Sequence, residues 1–432
     1  MSEKINIPRG TFDILPGESS KWQKLLNIFC ETANLYSYQE IVTPIFESAH
    51  LFERGVGEVT DIIEKEMYRF TDRKGREFAL RPEGTAPIVR SFIENHLGKE
   101  YAPAKLYYFG PMFRYDRPQK GRYRQFHQYG VELIGSNNPY TDAEVIALAD
   151  HFLKQIGIKN YTLEINSIGC DKCSPVYDAA LIEYYSKHKD ELCGDCVKRL
   201  EKNPKRLLDC KNEKCQLIGK EAPSILDYLD EDCAAAFEKV KYYLNLLKVD
   251  YIVNPRIIRG LDYYSNTAFE FLTTSLGSQN ALLGGGRYNG LVKQLGGVDT
   301  PAVGFAGGVE RLLAVAEAEG ISLVDSGNSG IYVANIGAET IDYALALCAE
   351  FRSKGISVEY EIDKNNFKSQ LKSANRLNIP YVCIVGSEEM EGQRFTLKEM
   401  NSGKQVTLNR SDIGEKFNNW PKLSVFEAEQ TC

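Results

Sequence analysis

The run LYYFGPMFRYDRPQKGRYRQFHQYGVELI, Leu106 to Ile134, decides the fold. It reads as two strands joined by a polar loop. Leu106–Phe109 continues at Met112–Arg114, Tyr115–Arg124 forms the loop, and the second strand runs from Gln125 to Ile134. A side-chain period of two sets Gln128, Gly130 and Glu132 on one face of the second strand and Tyr129, Val131 and Leu133 on the other. An amide and a carboxylate flanking a missing side chain leave room for a small polar molecule. The loop adds Arg117, Lys120, Arg122 and Arg124 beside Arg114, enough positive charge to hold a polyphosphate. Taken alone, an edge hairpin with a solvated charged face would look the same.

Three further stretches argue against that bland reading. Arg81-Pro82-Glu83-Gly84-Thr85 closes a strand and opens a helix. Arg259-Gly260-Leu261-Asp262-Tyr263-Tyr264 lies between apolar strands, and Gly304 to Leu312 runs from a strand into a helix around Glu310-Arg311. In this order the motifs resemble those of class II aminoacyl-tRNA synthetases. The Arg259–Tyr264 stretch, followed by Gly284-Gly285-Gly286-Arg287-Tyr288, resembles the histidyl-tRNA synthetase family in particular. The resemblance extends over essentially the whole chain and rests on the joint spacing of the motifs.

Composition sets the bounds. The chain has 432 residues, 43% hydrophobic and 26% charged, which suits a soluble globular protein of two or three domains. No stretch approaches the length of a membrane span. Met1–Asn6 carries no apolar signal core, so a cytoplasmic protein is expected. A net charge of -7 argues against bulk attraction to nucleic acid, so an RNA partner has to be met by local basic patches. The 11 cysteines read as thiols or metal ligands rather than disulfides.

Along the chain, a helix from near Glu18 carries Trp22, Leu25, Leu26, Phe29, Cys30 and Ala33 at helical period, which makes Cys30 a core thiol. Tyr38–Phe46 reads as a strand containing Pro44, tolerable only at an edge or bulge. A hairpin turning at Asp72–Gly75 delivers Glu83 and Thr85 to a helix start, where Thr85 can cap. A helix over Thr141–Gln155 and a strand over Tyr161–Ile165 follow. The Gly284 run reads either as close backbone approach to a ligand or as a tight sheet corner. It has neither the dinucleotide fingerprint nor the P-loop ending. From Cys170 to about Cys233 the pattern turns helical and cysteine-rich, with eight Lys or Arg against three Asp or Glu between Cys196 and Lys220. The expected organisation is an α/β multidomain protein: a class II antiparallel-sheet catalytic domain over 1–325 interrupted by an insertion at 170–233, a linker at 326–330, and a C-terminal α/β domain over 331–432. The last resembles the anticodon-binding domain of class II synthetases, although its 12 Lys or Arg against 14 Asp or Glu would not suggest RNA.

The resemblance implies ATP-dependent activation of L-histidine to histidyl-adenylate, transfer to the 3′ end of tRNA(His), a homodimer joined near Pro44, and magnesium with the ATP. The attacking group is a carboxylate, anionic at pH 7, so the site has to supply positioning and positive charge rather than a base. Arginine suits that work because it keeps its charge and offers a planar fork. Carried over residue by residue, Arg114 and Arg259 address the α-phosphate and the histidine carboxylate, while Arg122 and Arg311 hold the outer phosphates. Glu132 and Tyr264, with Tyr263 beside them, meet the imidazole; Gln128, Glu83 and Thr85 meet the amino group. Asp116 stands where the family usually has glutamate, one methylene shorter, on the ATP side. Arg117 and Gln119 match positions that meet the tRNA acceptor end. No segment suggests an editing domain.

The cysteines follow a different logic. Cys170-x-x-Cys173 and Cys193-x-x-Cys196 have zinc-ligand spacing, with 19 residues between the pairs, and Cys210 and Cys215 lie close behind. If zinc is present, the two pairs are expected to close one tetrahedron; buried thiols are the alternative. Two rival functions remain at this stage. One is a non-catalytic regulatory relative that partners ATP phosphoribosyltransferase, a type that tends to lose the Arg259 motif and the C-terminal domain, both present here. The other is a metal-binding RNA adaptor, which explains only the cysteine segment.

Overall fold

In the computed structural model the face carrying Tyr129, Val131 and Leu133 becomes the middle of a wide sheet. Residues 4–56, 62–118, 121–258, 263–275, 280–323, 330–364, 366–413 and 417 are described. The chain divides into two units, Met1–Val324 and Asp325–Cys432. The strands of the first unit are β1 (Gln39–Glu40), β2 (Phe46–Ser48), β3 (Arg69–Thr71), β4 (Glu77–Leu80), β5 (Ala104–Phe113), β6 (Gln125–Ile134), β7 (Tyr161–Ser167), β8 (Ile252–Val253), β9 (Ser265–Thr273), β10 (Ala281–Arg287) and β11 (Ala302–Gly308). The large sheet has the order β1-β5-β6-β11-β10-β9-β7-β8, and β2-β4-β3 form a small separate one. Only the edge pairs β1–β5 and β7–β8 are parallel; the strands between them are antiparallel.

Four helices contribute to the core on the apolar face, two of them, Glu231–Leu246 and Val309–Ala318, through Phe237, Leu244, Leu312 and Val315. Pro16–Leu35 brings Leu25, Phe29 and Ala33, and Pro139–Ile156 brings Val145, Leu148 and Phe152. Phe29 meets Tyr129 edge-on at 5.2 Å and Phe152 at 5.0 Å. Each such fully buried side chain contributes about 1.5–3 kcal/mol. The helix Pro139–Ile156 is bounded by its own sequence. Asn138 caps it by accepting from Tyr140 N at 3.0 Å, Pro139 sits in the first turn, and Gly157 ends it at φ 95°. Cys30 is half-buried against this core.

Several expected elements take a different form. The strand expected over Tyr38–Phe46 is two short ones, β1 and β2, because Pro44 has no N–H to continue a ladder. β5 runs unbroken through Gly110-Pro111 to Phe113. The glycine run is not a sheet corner but part of β10, and Gly284 lines the cavity described below. There a Cβ on Gly285 would lie 2.2 Å from Gly304 O and 2.7 Å from Phe269 Cζ, so these glycines allow the sheet to pack.

Between Ser167 and Ile252 the chain forms short helices at Cys173–Ser186, Gly194–Lys202 and Glu213–Lys220 around a small core of Tyr177, Leu181, Tyr185, Leu200, Leu207 and Ile225. The longer helix Glu231–Leu246 then returns the chain to the sheet.

The second unit holds β12 (Ile331–Asn335), β13 (Val358–Glu359), β14 (Tyr381–Val385), β15 (Arg394–Glu399) and β16 (Gln405–Asn409), ordered β13-β12-β14-β15-β16. Ile331 and Val333 pack with the helix Ile341–Ser353, while Tyr332 and Ala334 pack with the helix Phe367–Arg376. Alternation along one buried strand thus places a helix on each face. The linker expected at 326–330 lies outside the described residues except for Gly330. Among the described residues no helix is long and apolar enough to cross a membrane.

Candidate active site

On the polar face of β6 lies a cavity of about 350 Å³. Its walls bring together residues far apart in sequence: Glu83, Thr85, Arg114 and Asp116; Arg122 and Gln128; Tyr263, Tyr264 and Arg311. Arg259, Gln119 and Lys120 lie outside the described residues. Arg117 is exposed on the loop and does not line the cavity; its amide donates to Asp116 Oδ1 at 2.7 Å.

The helix Thr85–Glu94 starts at the cavity wall. Glu83 accepts from the amides of Thr85 at 2.6 Å and Ala86 at 2.9 Å, so it is Glu83 that satisfies the first turn. Thr85, expected as the cap, is instead the first helical residue, and its hydroxyl donates to Glu132 Oε1 at 2.7 Å. Tyr288 donates to Glu132 Oε2. Burial raises the Glu83 carboxyl, against the pull of the two amides. Burial also lifts Glu132 to about 8, opposed by the two hydroxyl donors and aided by the nearby Glu83 charge.

Two side chains stand elsewhere than the alternation along the strand suggests. Glu132, at 1% exposure, does not line the cavity but sits one layer beneath it. It is drawn there by the two hydroxyls and by the bare backbone of Gly304, where a Cβ would lie 1.9 Å from Glu132 Oε2. The vacancy over Gly130 is not open either. Tyr108, paired with Gly130 across β5 and β6, fills it, and a Cβ on Gly130 would stand 2.6 Å from its hydroxyl.

The arginines are held by distinct partners. Arg114 donates from Nε to Pro82 O at 2.9 Å and lies 5.2 Å above the Phe126 ring. Burial works against its charge, and Glu66 and Glu83 favour it. Arg122 pairs with Asp116 Oδ2 at 3.0 Å, which engages the carboxylate that stands in place of the usual glutamate. Arg311 donates to Ala281 O at 2.6 Å from the first turn of the helix Val309–Ala318, and burial followed by the like charge of Arg122 lowers its pKa. Tyr263 and Tyr264 stack tilted at 4.8 Å, and burial raises the Tyr263 phenol. The amide oxygen of Gln128 is buried with no hydrogen-bond partner among the described residues. Such a group is costly unless something enters to meet it.

Sequence reasoning missed Glu66, Glu270 and Glu310, which also line the cavity, and Tyr288, which holds Glu132. Glu310 is anchored by the His127 amide at 2.9 Å and by His127 Nδ1 at 3.0 Å. Its place beside Arg311 was the available signal. Among the described residues, no group of three close metal donors lies at the cavity; both such groups are in or at the edge of the cysteine-rich segment. A magnesium ion arriving with a nucleotide would meet its phosphates and water, and the carboxylates in the cavity wall are those of Glu66, Glu83, Asp116, Glu270 and Glu310.

The cysteines are grouped otherwise than expected. Cys193 and Cys196 stand with Cys210 and Cys215, whereas Cys170 and Cys173 stand with Asp230 and Cys233. The single tetrahedron expected of the two pairs is not formed, because the helix Cys173–Ser186 carries the chain away before Cys193.

The largely antiparallel sheet, with the cavity on the polar face of β6, has the arrangement of the class II aminoacyl-tRNA synthetases. A family model described as histidyl-tRNA synthetase matches residues 10–172 and 188–312, and one described as anticodon binding domain matches 330–420. A histidine–tRNA ligase of Desulforamulus reducens is 50% identical over 406 residues, 94% of this chain and 97% of its own, and one of Halothermothrix orenii is 48% identical over 413 residues, 96% and 99%. The crystal structure of apo S. aureus histidyl-tRNA synthetase superposes with a TM-score of 0.82 at 39% identity, covering 96% of this chain and all of that one. The chain belongs to the histidyl-tRNA synthetase family and is an aminoacyl-tRNA ligase.

Proposed function

We propose that the cavity activates L-histidine with ATP and passes the product to the 3′ end of tRNA(His). Its amino-acid end is formed by Glu83, Thr85, Gln128, Tyr263 and Tyr264, and its ATP end by Arg122 and Arg311 for the phosphates and Asp116 on the adenine side. The carrying observation is the unpartnered, buried Gln128 oxygen in a wall that also holds the Glu83 carboxylate and the Arg114 guanidinium. An acceptor and an anion suit an α-ammonium, and a guanidinium suits a carboxylate.

In the first step a histidine carboxylate oxygen attacks the α-phosphorus. The bond to the bridging oxygen breaks, and pyrophosphate leaves with the electron pair. No proton has to move, so Arg114, with Arg259, contributes by neutralising the charge gathering on the α-phosphate. Arg122 and Arg311 hold the departing phosphates. In the second step the terminal ribose hydroxyl attacks the adenylate carbonyl, the acyl–phosphate bond breaks with its electron pair going to AMP, and the hydroxyl proton passes to a phosphate oxygen of the departing AMP. Glu132 acts on imidazole recognition from beneath the wall, through Tyr288, which packs against Tyr263 and Tyr264. A site whose polar groups pair only with the right substrate discriminates roughly ten-thousandfold or more, so no editing domain is required.

The second unit reads the tRNA anticodon, and the acceptor end meets Arg117 and Gln119. A homodimer forms through the surface around β2, where Val42, Ile45, Phe46 and Phe70 are exposed. The enzyme works in the cytosol with magnesium-bound ATP. ATP–pyrophosphate exchange with each of the amino acids tests the reading. Exchange with histidine alone is expected; Arg114→Ala lowers it about a hundredfold to a thousandfold, and Gln128→Ala raises the histidine KM with little change for ATP. No exchange with histidine would leave the regulatory reading instead.

A further inference from the structure

We propose that this chain binds two zinc ions, one closed inside the insertion by Cys193, Cys196, Cys210 and Cys215, and one at its neck by Cys170, Cys173, Cys233 and Asp230.

In each group the ligand atoms lie within 4.8 Å of one another. Zinc–thiolate bonds of about 2.3 Å put the sulfurs of a tetrahedron about 3.8 Å apart. Cys193 Sγ and Cys210 Sγ are 3.8 Å apart, and Cys170 Sγ and Cys173 Sγ 3.7 Å. A sulfur and a carboxylate oxygen sharing the ion should stand about 3.5 Å apart; Cys170 Sγ and Asp230 Oδ2 are at 3.3 Å. A disulfide would need about 2.05 Å.

Several of the sulfurs are met by N–H donors. Backbone amides point at the sulfurs: Lys172 N at Cys170 (3.4 Å), Asp230 N at Cys173 (3.2 Å), Cys193 N at Cys215 (3.3 Å) and Asn212 N at Cys210 (3.4 Å). Asn266 Nδ2 donates to Cys233 Sγ at 3.2 Å. Such donors hold ligand sulfurs in place and stabilise their negative charge. Four thiolates, or three and a carboxylate, in a small cage select a soft tetrahedral ion over magnesium or calcium.

The two sites would do different structural work. The first ties the helix Gly194–Lys202 to the helix Glu213–Lys220 and to the stretch between them around a small core, where a metal contributes directly to folding. The second joins the two ends of the insertion, Cys170–Cys173 where the chain leaves β7 and Asp230–Cys233 where it returns. Asn266 ties this neck to β9, two residues beyond Tyr264, and its backbone bonds to Gly169 O and Ile168 N, both at 2.7 Å.

The test is elemental analysis of the full chain purified without added metal or affinity histidines. About two equivalents of zinc are expected, falling to about one in Cys215→Ser and about one in Cys233→Ser. Should either variant fail to fold, the wild-type chain is stripped with a chelator and titrated with cobalt(II). Tetrahedral d–d bands and thiolate charge-transfer absorption should then saturate at two equivalents, and Asp230→Asn should perturb only one set of bands. Less than a tenth of an equivalent of zinc together with no tetrahedral cobalt spectrum overturns the proposal. One equivalent that survives both Cys215→Ser and Cys233→Ser overturns it in favour of a single site made by the two Cys-x-x-Cys pairs.

Discussion

Replacing Glu132 by glutamine keeps the shape of a fully buried side chain and removes its titration. In the folded protein this carboxyl is raised from its usual 4.5 to about 8. Between those values the folded state keeps a proton that the unfolded chain has lost, so stability falls as pH rises from about 4.5 through about 8. At about 1.4 kcal/mol per pH unit, the full shift is worth about 4–5 kcal/mol, an upper bound because strand breathing and water entry relieve a buried charge. Glutamine has no such dependence. Urea unfolding of both proteins without substrates, at pH 5, 6, 7 and 8, should therefore show glutamine gaining on glutamate by about 2–4 kcal/mol across the series. Taking the difference at each pH cancels the other titrating groups and the second unit. Parallel profiles for the two proteins would refute the assignment of a proton to Glu132. In catalysis the same variant should raise the histidine KM while leaving that for ATP within a few-fold; a collapse of ATP binding alone would mean the two ends of the cavity have been exchanged.

Gly304→Ala should lower stability by about 1–3 kcal/mol, since its Cβ would meet Glu132 Oε2 at 1.9 Å and Val131 O at 2.4 Å; thermal unfolding reads it, and an unchanged Tm would show that Glu132 lies elsewhere. Arg259→Ala should abolish pyrophosphate exchange while circular dichroism stays native, and near-normal exchange would remove Arg259 from the reaction. A chain ending at Leu323 should still form histidyl-adenylate but charge tRNA poorly, because the second unit has its own core; normal charging would deny that unit a role in tRNA recognition.

The parts of this architecture that sequence made legible are those governed by one element's own periodicity. Alternation in Gln125–Ile134 assigns Tyr129, Val131 and Leu133 to the core, and Pro139 with Gly157 bounds a helix without reference to anything distant. What could not be read depends on a neighbouring strand. Gly130 alone announces a space, but only the register with β5 reveals that Tyr108 occupies it. Glu132 reads as a ligand residue by its face, yet its depth is set by Gly304, Thr85 and Tyr288 on three other elements. The cysteine spacing is that of metal ligands, while the partition into two groups depends on where intervening helices carry the chain. Glu66, Glu270 and Glu310 resembled any other surface acids until the cavity gathered them.

Across three strands, large residues face glycines: Tyr108 opposite Gly130, Glu132 opposite Gly304, and Tyr129 opposite Gly307, where a Cβ would stand 2.4 Å from the tyrosine ring. Each couple works as a tooth and its notch. Sliding β5 by one residue would set Tyr108 against Tyr129 or Val131, and sliding β11 would drive Glu132 into Val303 or Phe305. The strands therefore mesh in a single alignment before any substrate arrives, and the floor of the pocket is made by the act of meshing. Recovery of pyrophosphate exchange after refolding becomes a gauge of strand alignment. Reshaping this floor for another amino acid calls for exchanging whole couples, the tooth together with its notch.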